Sequence, residues 1–227
     1  MKKSKKIYRG EYLYNYMTLD RFYNLLYTKI WEFSDYKTAN DYRERCSYLL
    51  KDMDGDACER LKCIRYSCFS QKKDISPMWY FYAGNYSGVC LEINVKKMKE
   101  KFGKYVEFYY INYLPMNNFS DIEQNSHYDL VEYLLIKNGN WEYEKEVRMF
   151  YTPKDNEGSF FDILPCISKI YIGRDCPLNM LCNMGSVEFL KNVGIFRILS
   201  TPDGRNVALN NSKEVIEQFR TNLSKLD

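Results

Sequence analysis

The chain has 227 residues and a mass of 27.3 kDa, enough for one sizeable core and too little for two ordinary domains with separate cores. Hydrophobic residues make up 45% and charged residues 28%, a globular balance that excludes wholesale disorder, a collagen-like repeat and a coiled-coil rod. A net charge of +3 lacks the concentrated positive field of a dedicated nucleic-acid binder, and a single histidine, His127, excludes two-His zinc motifs.

Residues 1–9 are lysine-rich, but no apolar run succeeds them and Glu11 and Asp20 break the next stretch, so neither a secretory signal nor a membrane span is predicted. The eight cysteines include no Cys-x-x-Cys pair. Reduced, mostly buried thiols in a cytoplasmic protein without a metal site are expected. Residues 12–17 alternate as a short strand, and Thr18 is placed to cap a helix in which Leu19, Phe22, Tyr23, Leu26 and Ile30 recur at helical spacing. A broken helical pattern covers 40–65, and 66–70 reads as a strand. Ser76-Pro77 opens a short helix, with Ser76 as its cap, that ends at Gly84.

Val89, Leu91, Ile93 and Val95 alternate with Cys90, Glu92 and Asn94, the cleanest strand pattern in the chain. Further strands are predicted at 106–110, 147–152, 160–164, 169–173 and 196–200, and helices at 121–137, 177–192 and 212–225. Helices first and strands crowded later, without regular βαβ alternation, predict a single α+β domain over 1–227 with a mixed, mostly antiparallel sheet flanked by helices. No glycine-rich phosphate loop of either common type comes after a predicted strand.

Three groups of residues stand out as chemically capable. The first is Trp141-Glu142-Tyr143-Glu144-Lys145-Glu146-Val147-Arg148. In an extended strand Glu142, Glu144, Glu146 and Arg148 would line one edge, and adjacent carboxylates repel unless a cation or a proton stands among them. A charged strand entrance with Glu146 and Arg148 paired in solvent accounts for the same pattern. The second is Cys68-Phe69-Ser70 followed by Met78-Trp79 with Tyr82, where Ser70 can offer a hydroxyl to a ligand. Trp79 and Tyr82, three apart, either fill the core or wall a cleft that stacks a planar ring. The third is Asn40-Asp41-Tyr42-Arg43-Glu44, in which Asn40 caps a helix or holds a substrate hydroxyl. The nuclease-like tripeptide Asp35-Tyr36-Lys37 sits in a loop, where it is weak support for metal-dependent phosphodiester chemistry.

These landmarks, with Leu13-Tyr14-Asn15-Tyr16, Gly88-Val89-Cys90 and Lys137 ahead of Trp141, resemble the bacterial domain of unknown function 2971 family nearly end to end. Tyr42 stands where the family commonly shows Pro. The order of a first strand and helix, a Phe-Ser strand end before an aromatic helix, and a late Glu-x-Glu also looks like the ADP-ribosyltransferase fold, a split β-sheet that binds NAD. That likeness implies Glu146, Glu144, Ser70 and Tyr16 as catalytic residues, with Tyr16 where the superfamily has His or Arg. Around the NAD it implies Arg9, Tyr14, Thr18, Asn40, Trp79, Tyr82 and Arg148, Arg9 being a rival for the first position. The implied activity is transfer of ADP-ribose from NAD, without a metal, to a protein or nucleic acid in a bacterial phage-defence or toxin setting. A cognate defence-system or antitoxin protein would be the partner, and no membrane is involved. The alternatives are a non-catalytic sensor or binding module using the same aromatic cleft and, more weakly, a nuclease.

Overall fold

The structure, a computed structural model, describes residues 5–34, 64–115, 130–151, 161–177, 189, 193–201 and 206–209. Asn40, His127, the Asp35-Tyr36-Lys37 tripeptide, the predicted helix at 212–225 and nearly all of those at 40–65 and 177–192 lie outside the described residues. The fold is α+β on mixed β-structure. In chain order the strands are β1 (Tyr12–Met17), β2 (Arg65–Ser70), β3 (Val89–Asn94), β4 (Val106–Tyr110), β5 (Asn112–Leu114), β6 (Ile136–Asn138), β7 (Glu146–Tyr151), β8 (Ile167–Ile172), β9 (Gly194–Ser200) and β10 (Asn206–Leu209). The helices are α1 (Leu19–Thr28), α2 (Ser76–Phe81), α3 (Val95–Phe102) and α4 (Leu130–Tyr133). Chain contacts group these into two compact units.

One unit comprises Gly10–Trp31, Ser70–Lys101 and Gly158–Asp227. Its strands lie in the order β10-β9-β8-β3-β1, antiparallel except for the parallel β8–β9 pair. β3 is buried from Val89 to Ile93 without alternation, and Glu92 is a buried carboxylate. Thr18 caps α1 as its position predicts, accepting a hydrogen bond from the Arg21 N–H at 3.4 Å. The helix turns Leu19, Phe22, Leu25 and Leu26 inward, and burial of each such side chain is worth about 1.5–3 kcal/mol. It ends where Lys29 takes a left-handed conformation at φ 59°.

The cap of α2 is Ile75 and not Ser76, and no side chain closes that end. A tertiary bond sets the entry instead: the Ile75 N–H donates to Tyr16 Oη at 3.3 Å. Beyond α2, Gly84, Asn85 and Tyr86 all have positive φ (54°, 52° and 65°). For Tyr86 this is a strained backbone. It is held by the Tyr86 N–H donating to Trp79 O at 3.1 Å, by ring stacking on Trp79, and by the Asp175 N–H donating to Tyr86 O. A Cβ on Gly173 would lie 2.0 Å from that same carbonyl oxygen, so only glycine allows the approach. Among the described residues 161–164 the predicted strand does not form. Asp162 Oδ1 accepts from the Leu164 N–H at 3.0 Å and starts a 3₁₀ turn over Leu164–Cys166.

The other unit comprises Met1–Arg9, Glu32–Phe69 and Phe102–Glu157. β7 lies between β2 and β4, and β5 pairs in parallel with β6. Tyr66, Tyr109, Ile111, Leu134, Leu135 and Phe150 form its core cluster. The helix predicted through 137 ends at Tyr133, because the Asn112 N–H takes Leu135 O at 2.7 Å and Ile136–Asn138 joins β5 as a strand. An apolar run such as 134–136 suits a helix or a buried strand equally, and a non-local partner decides. Nor is 142–148 extended throughout. Asn138 Oδ1 accepts from the Asn140 N–H at 2.9 Å, Gly139–Glu144 winds into a 3₁₀ helix, and left-handed Lys145 (φ 48°) separates it from β7.

Candidate functional site

The densest polar group is built on β6, the 3₁₀ helix and the start of β7. Lys137 Nζ lies 2.5 Å from Glu144 Oε2 and 2.8 Å from Glu146 Oε2, and Arg148 Nε donates to Glu146 Oε1 at 2.6 Å. All four side chains are buried, Arg148 to 1% and Glu146 to 3% exposure. Burial alone would push the Glu146 carboxyl up, but Arg148, Lys137 and the hydrogen bonds from Arg148 and Cys68 carry it well below the ordinary glutamate range. The cation that adjacent carboxylates demand is therefore Lys137, which approaches from another strand. Glu146 and Arg148 are paired, though in the interior and not in solvent.

Further contacts fix the group. The Arg148 guanidinium lies over the Tyr66 ring at 4.9 Å and Nη1 donates to Leu134 O, while Lys137 Nζ lies 5.1 Å above the Trp141 ring. The Glu146 N–H donates to Tyr113 Oη at 2.7 Å, and its carbonyl accepts from the Ile111 N–H. Burial, and then the Glu146 charge, raise both the Tyr113 hydroxyl and the Cys68 thiol above their usual ranges, so neither ionises at neutral pH. Among the described residues two anions and two cations thus form a closed set in which Glu146 stays ionised. Glu144 shares Lys137 with Glu146 although it belongs to the 3₁₀ helix and not to the strand.

In the other unit, Tyr16 Oη donates to Lys72 O at 2.8 Å and accepts from Ile75, so this hydroxyl anchors the loop after Ser70 and is not available to a ligand. Ser70 is likewise buried, and its Oγ accepts from the Lys72 N–H at 3.2 Å. Trp79 does not wall a cleft. It is wholly buried, stacked on Tyr86, edge-on to Tyr16, and donates Nε1–H to Lys73 O at 2.8 Å. Tyr82, half-buried, closes α2. Thr18 is exposed and serves as the cap of α1, Arg9 is exposed, and half-buried Tyr14 donates to Glu92 Oε2 at 3.3 Å. The structure thus brings Glu144, Glu146 and Arg148 together in one unit, and Tyr16 against Trp79 in the other.

Lys137 and Tyr113 complete the ionic group and were not among the expected site residues. Lys137 could have been found from the charge argument, since three nearby carboxylates require a cation, but nothing local marks Tyr113. Among the described residues no three His, Cys, Asp or Glu side chains gather as metal ligands, and no helix is long and apolar enough to cross a membrane. No curated protein and no solved structure gives a match. The model of the family described as Protein of unknown function (DUF2971) does match, over residues 78–149, a stretch that holds Trp79, Gly88, Lys137, Trp141, Glu144, Glu146 and Arg148 but leaves Tyr16 and Ser70 outside. The likeness to this family is thereby established for the segment that carries the buried ionic group.

Proposed function

We propose that the chain is an ADP-ribosyltransferase-like protein that binds NAD and transfers ADP-ribose to a protein or nucleic acid, in bacterial phage defence or a toxin system. The observation that carries this reading is Glu146, an ionised carboxylate at the first residue of β7, next in the sheet to β2. In this chemistry the bond from ribose C1′ to the nicotinamide nitrogen breaks, and its electron pair leaves with neutral nicotinamide. Positive charge develops on the ribose, and a fixed carboxylate stabilises it. A nucleophilic oxygen or nitrogen of the acceptor then bonds to C1′ and releases its proton, for which Glu144 is the nearest second carboxylate. One ion pair of Glu146 must open for its oxygen to meet the ribose. Lys137 is the cation that can yield, because Glu144 keeps it paired. A reducing, cytoplasmic setting belongs to this proposal, in keeping with the thiols of Cys90, Cys166 and Cys176.

The engagement of both Glu146 oxygens favours a second reading, in which the four charges are a structural polar core and the protein binds a nucleotide or peptide without turning it over. Nicotinamide release from NAD by the pure protein separates the two. The enzyme reading expects release by the parent and a fall of roughly two or more orders of magnitude in Glu146→Gln with NAD affinity little changed. Equal release by parent and variant, or none by the parent, supports the binding module.

A further inference from the structure

A second polar constellation lies on one face of the five-stranded sheet, apart from Glu146 and belonging to the other unit. Its floor is Glu92 on β3, 2% exposed, with Tyr14 of β1 and Lys169 of β8 directly opposite it on the neighbouring strands. Tyr171 Oη donates to Glu92 Oε2 at 2.8 Å, and Tyr14 Oη donates to the same oxygen. Lys169 Nζ stands 2.9 Å from Oε1, close enough for an ion pair but off the direction a hydrogen bond needs, so Oε1 has no hydrogen bond. The rings of Tyr12, Tyr14 and Phe196 around this floor are half-buried, and Tyr171 tilts against both Tyr14 and Phe196.

Above the face stands Lys73. Its ammonium lies 5.7 Å from the Tyr14 ring centre and 5.5 Å from that of Tyr171, and among the described residues it has no carboxylate partner. Its backbone is pinned on both sides: Lys72 O accepts from Tyr16 Oη, Lys73 O accepts from Trp79 Nε1, and the Ile75 N–H donates to Tyr16. The buried Tyr16 and Trp79 therefore hold the loop so that Lys73 projects over the tyrosines. A pinned backbone reduces the entropy that a binding loop loses when it closes on a ligand. Lys169 offsets Glu92, and the other described carboxylates beside this face, Asp74 next along the loop and Glu11 against the Tyr12 hydroxyl, are exposed and pair with no ammonium of the face, which leaves Lys73 open to an anion.

We propose that this face binds a nucleotide through its phosphate, with Lys73 as the anion contact and, once the partly exposed Lys169 swings off Tyr12 and Glu92, the half-buried tyrosine rings as the surface for the base and Glu92 Oε1 as acceptor for a sugar hydroxyl. An ammonium with open donors recognises phosphate as a point charge, and aromatic faces accept any base. Glu92 Oε1, which holds Lys169 by charge and not by a hydrogen bond, can accept from a neutral hydroxyl and repels a second anion. This site does not depend on NAD turnover, because none of its residues belongs to the Glu146 group and AMP, the probe used to test it, has no nicotinamide bond to break.

The test is calorimetric titration of the full chain with AMP, adenosine and inorganic phosphate, for the parent, Lys73→Met and Lys73→Arg, each variant checked for a parental unfolding midpoint. AMP is expected to bind the parent at least tenfold more tightly than either adenosine or phosphate. Lys73→Met should lose that advantage over adenosine, Lys73→Arg should keep most of it, and added salt should weaken AMP more than adenosine. Equal affinity of AMP for the parent and Lys73→Met overturns the anion contact. Equal affinity of AMP and inorganic phosphate overturns the nucleotide assignment, as does the absence of AMP binding at millimolar concentration.

Discussion

Among the described residues two glutamates are buried on β-strands, and they are neutralised in different ways. Glu146 has each oxygen matched by a buried cation, Arg148 on one side and Lys137 on the other. Glu92 has two tyrosine hydroxyls on one oxygen and, on the other, an ammonium whose side chain is 40% exposed. The first arrangement is closed: removing any member leaves a buried charge without compensation. The second keeps an acceptor position without a hydrogen bond and a partner that can swing into water. Buried charges of the first kind hold a fixed geometry, while those of the second leave room for a ligand.

The largest expected effect on stability belongs to Arg148→Met. Without the guanidinium, Glu146 Oε1 is buried and unpaired, and a loss of about 3–5 kcal/mol is expected by denaturant unfolding. A loss below about 1 kcal/mol would mean that Glu146 relaxes into water and that the closed set is not closed. Tyr171→Phe removes one of the two hydroxyls on Glu92 and should cost about 1–3 kcal/mol in the same measurement. Lys169→Met should cost less than Arg148→Met, because two tyrosine hydroxyls stay on Glu92 and the ammonium that is lost is partly solvated. If Lys169→Met matched Arg148→Met, the distinction between the two glutamates would be lost.

Acid sharpens the same contrast. The folded-state pKa of Glu146 is depressed, so its contribution to stability is fully present above the unfolded glutamate value of about 4.3 and is lost as pH falls below it. The unfolding midpoint of the parent should therefore drop as pH is lowered from about 6 to 3, and that of Glu146→Gln should drop less steeply. Parallel curves would place the acid sensitivity elsewhere.

Elements whose signals are local were legible in the amino-acid sequence. Alternation over Tyr12–Met17 and Val89–Asn94 marks two strands of the sheet, and Thr18 marks the start of α1. The choice of helix over strand at 134–138 was not legible, because pairing with Asn112–Leu114 makes it and no residue nearby announces that partner. The Glu-rich segment shows the same limit: its composition demands a cation, but the 3₁₀ turn and left-handed Lys145 that aim Glu144 and Glu146 at Lys137 arise from one asparagine side chain and a tertiary packing choice. Trp79 misled for a related reason. Three-residue spacing from Tyr82 places both rings along a helix, yet the ring of Trp79 is enclosed by Tyr16 and Tyr86, which lie on other segments. Lys73 gave no signal at all, since its position depends on hydrogen bonds from Tyr16 and Trp79 to the carbonyls of its loop.

The most direct test follows NAD binding and nicotinamide release side by side for the parent and Glu146→Gln. Glu146→Gln should bind NAD nearly as the parent does and release nicotinamide at least roughly a hundredfold more slowly, because the lost charge matters most as positive charge develops on the ribose. Parental release by Glu146→Gln would contradict the account and leave the Lys137, Glu144, Glu146 and Arg148 group as a structural core.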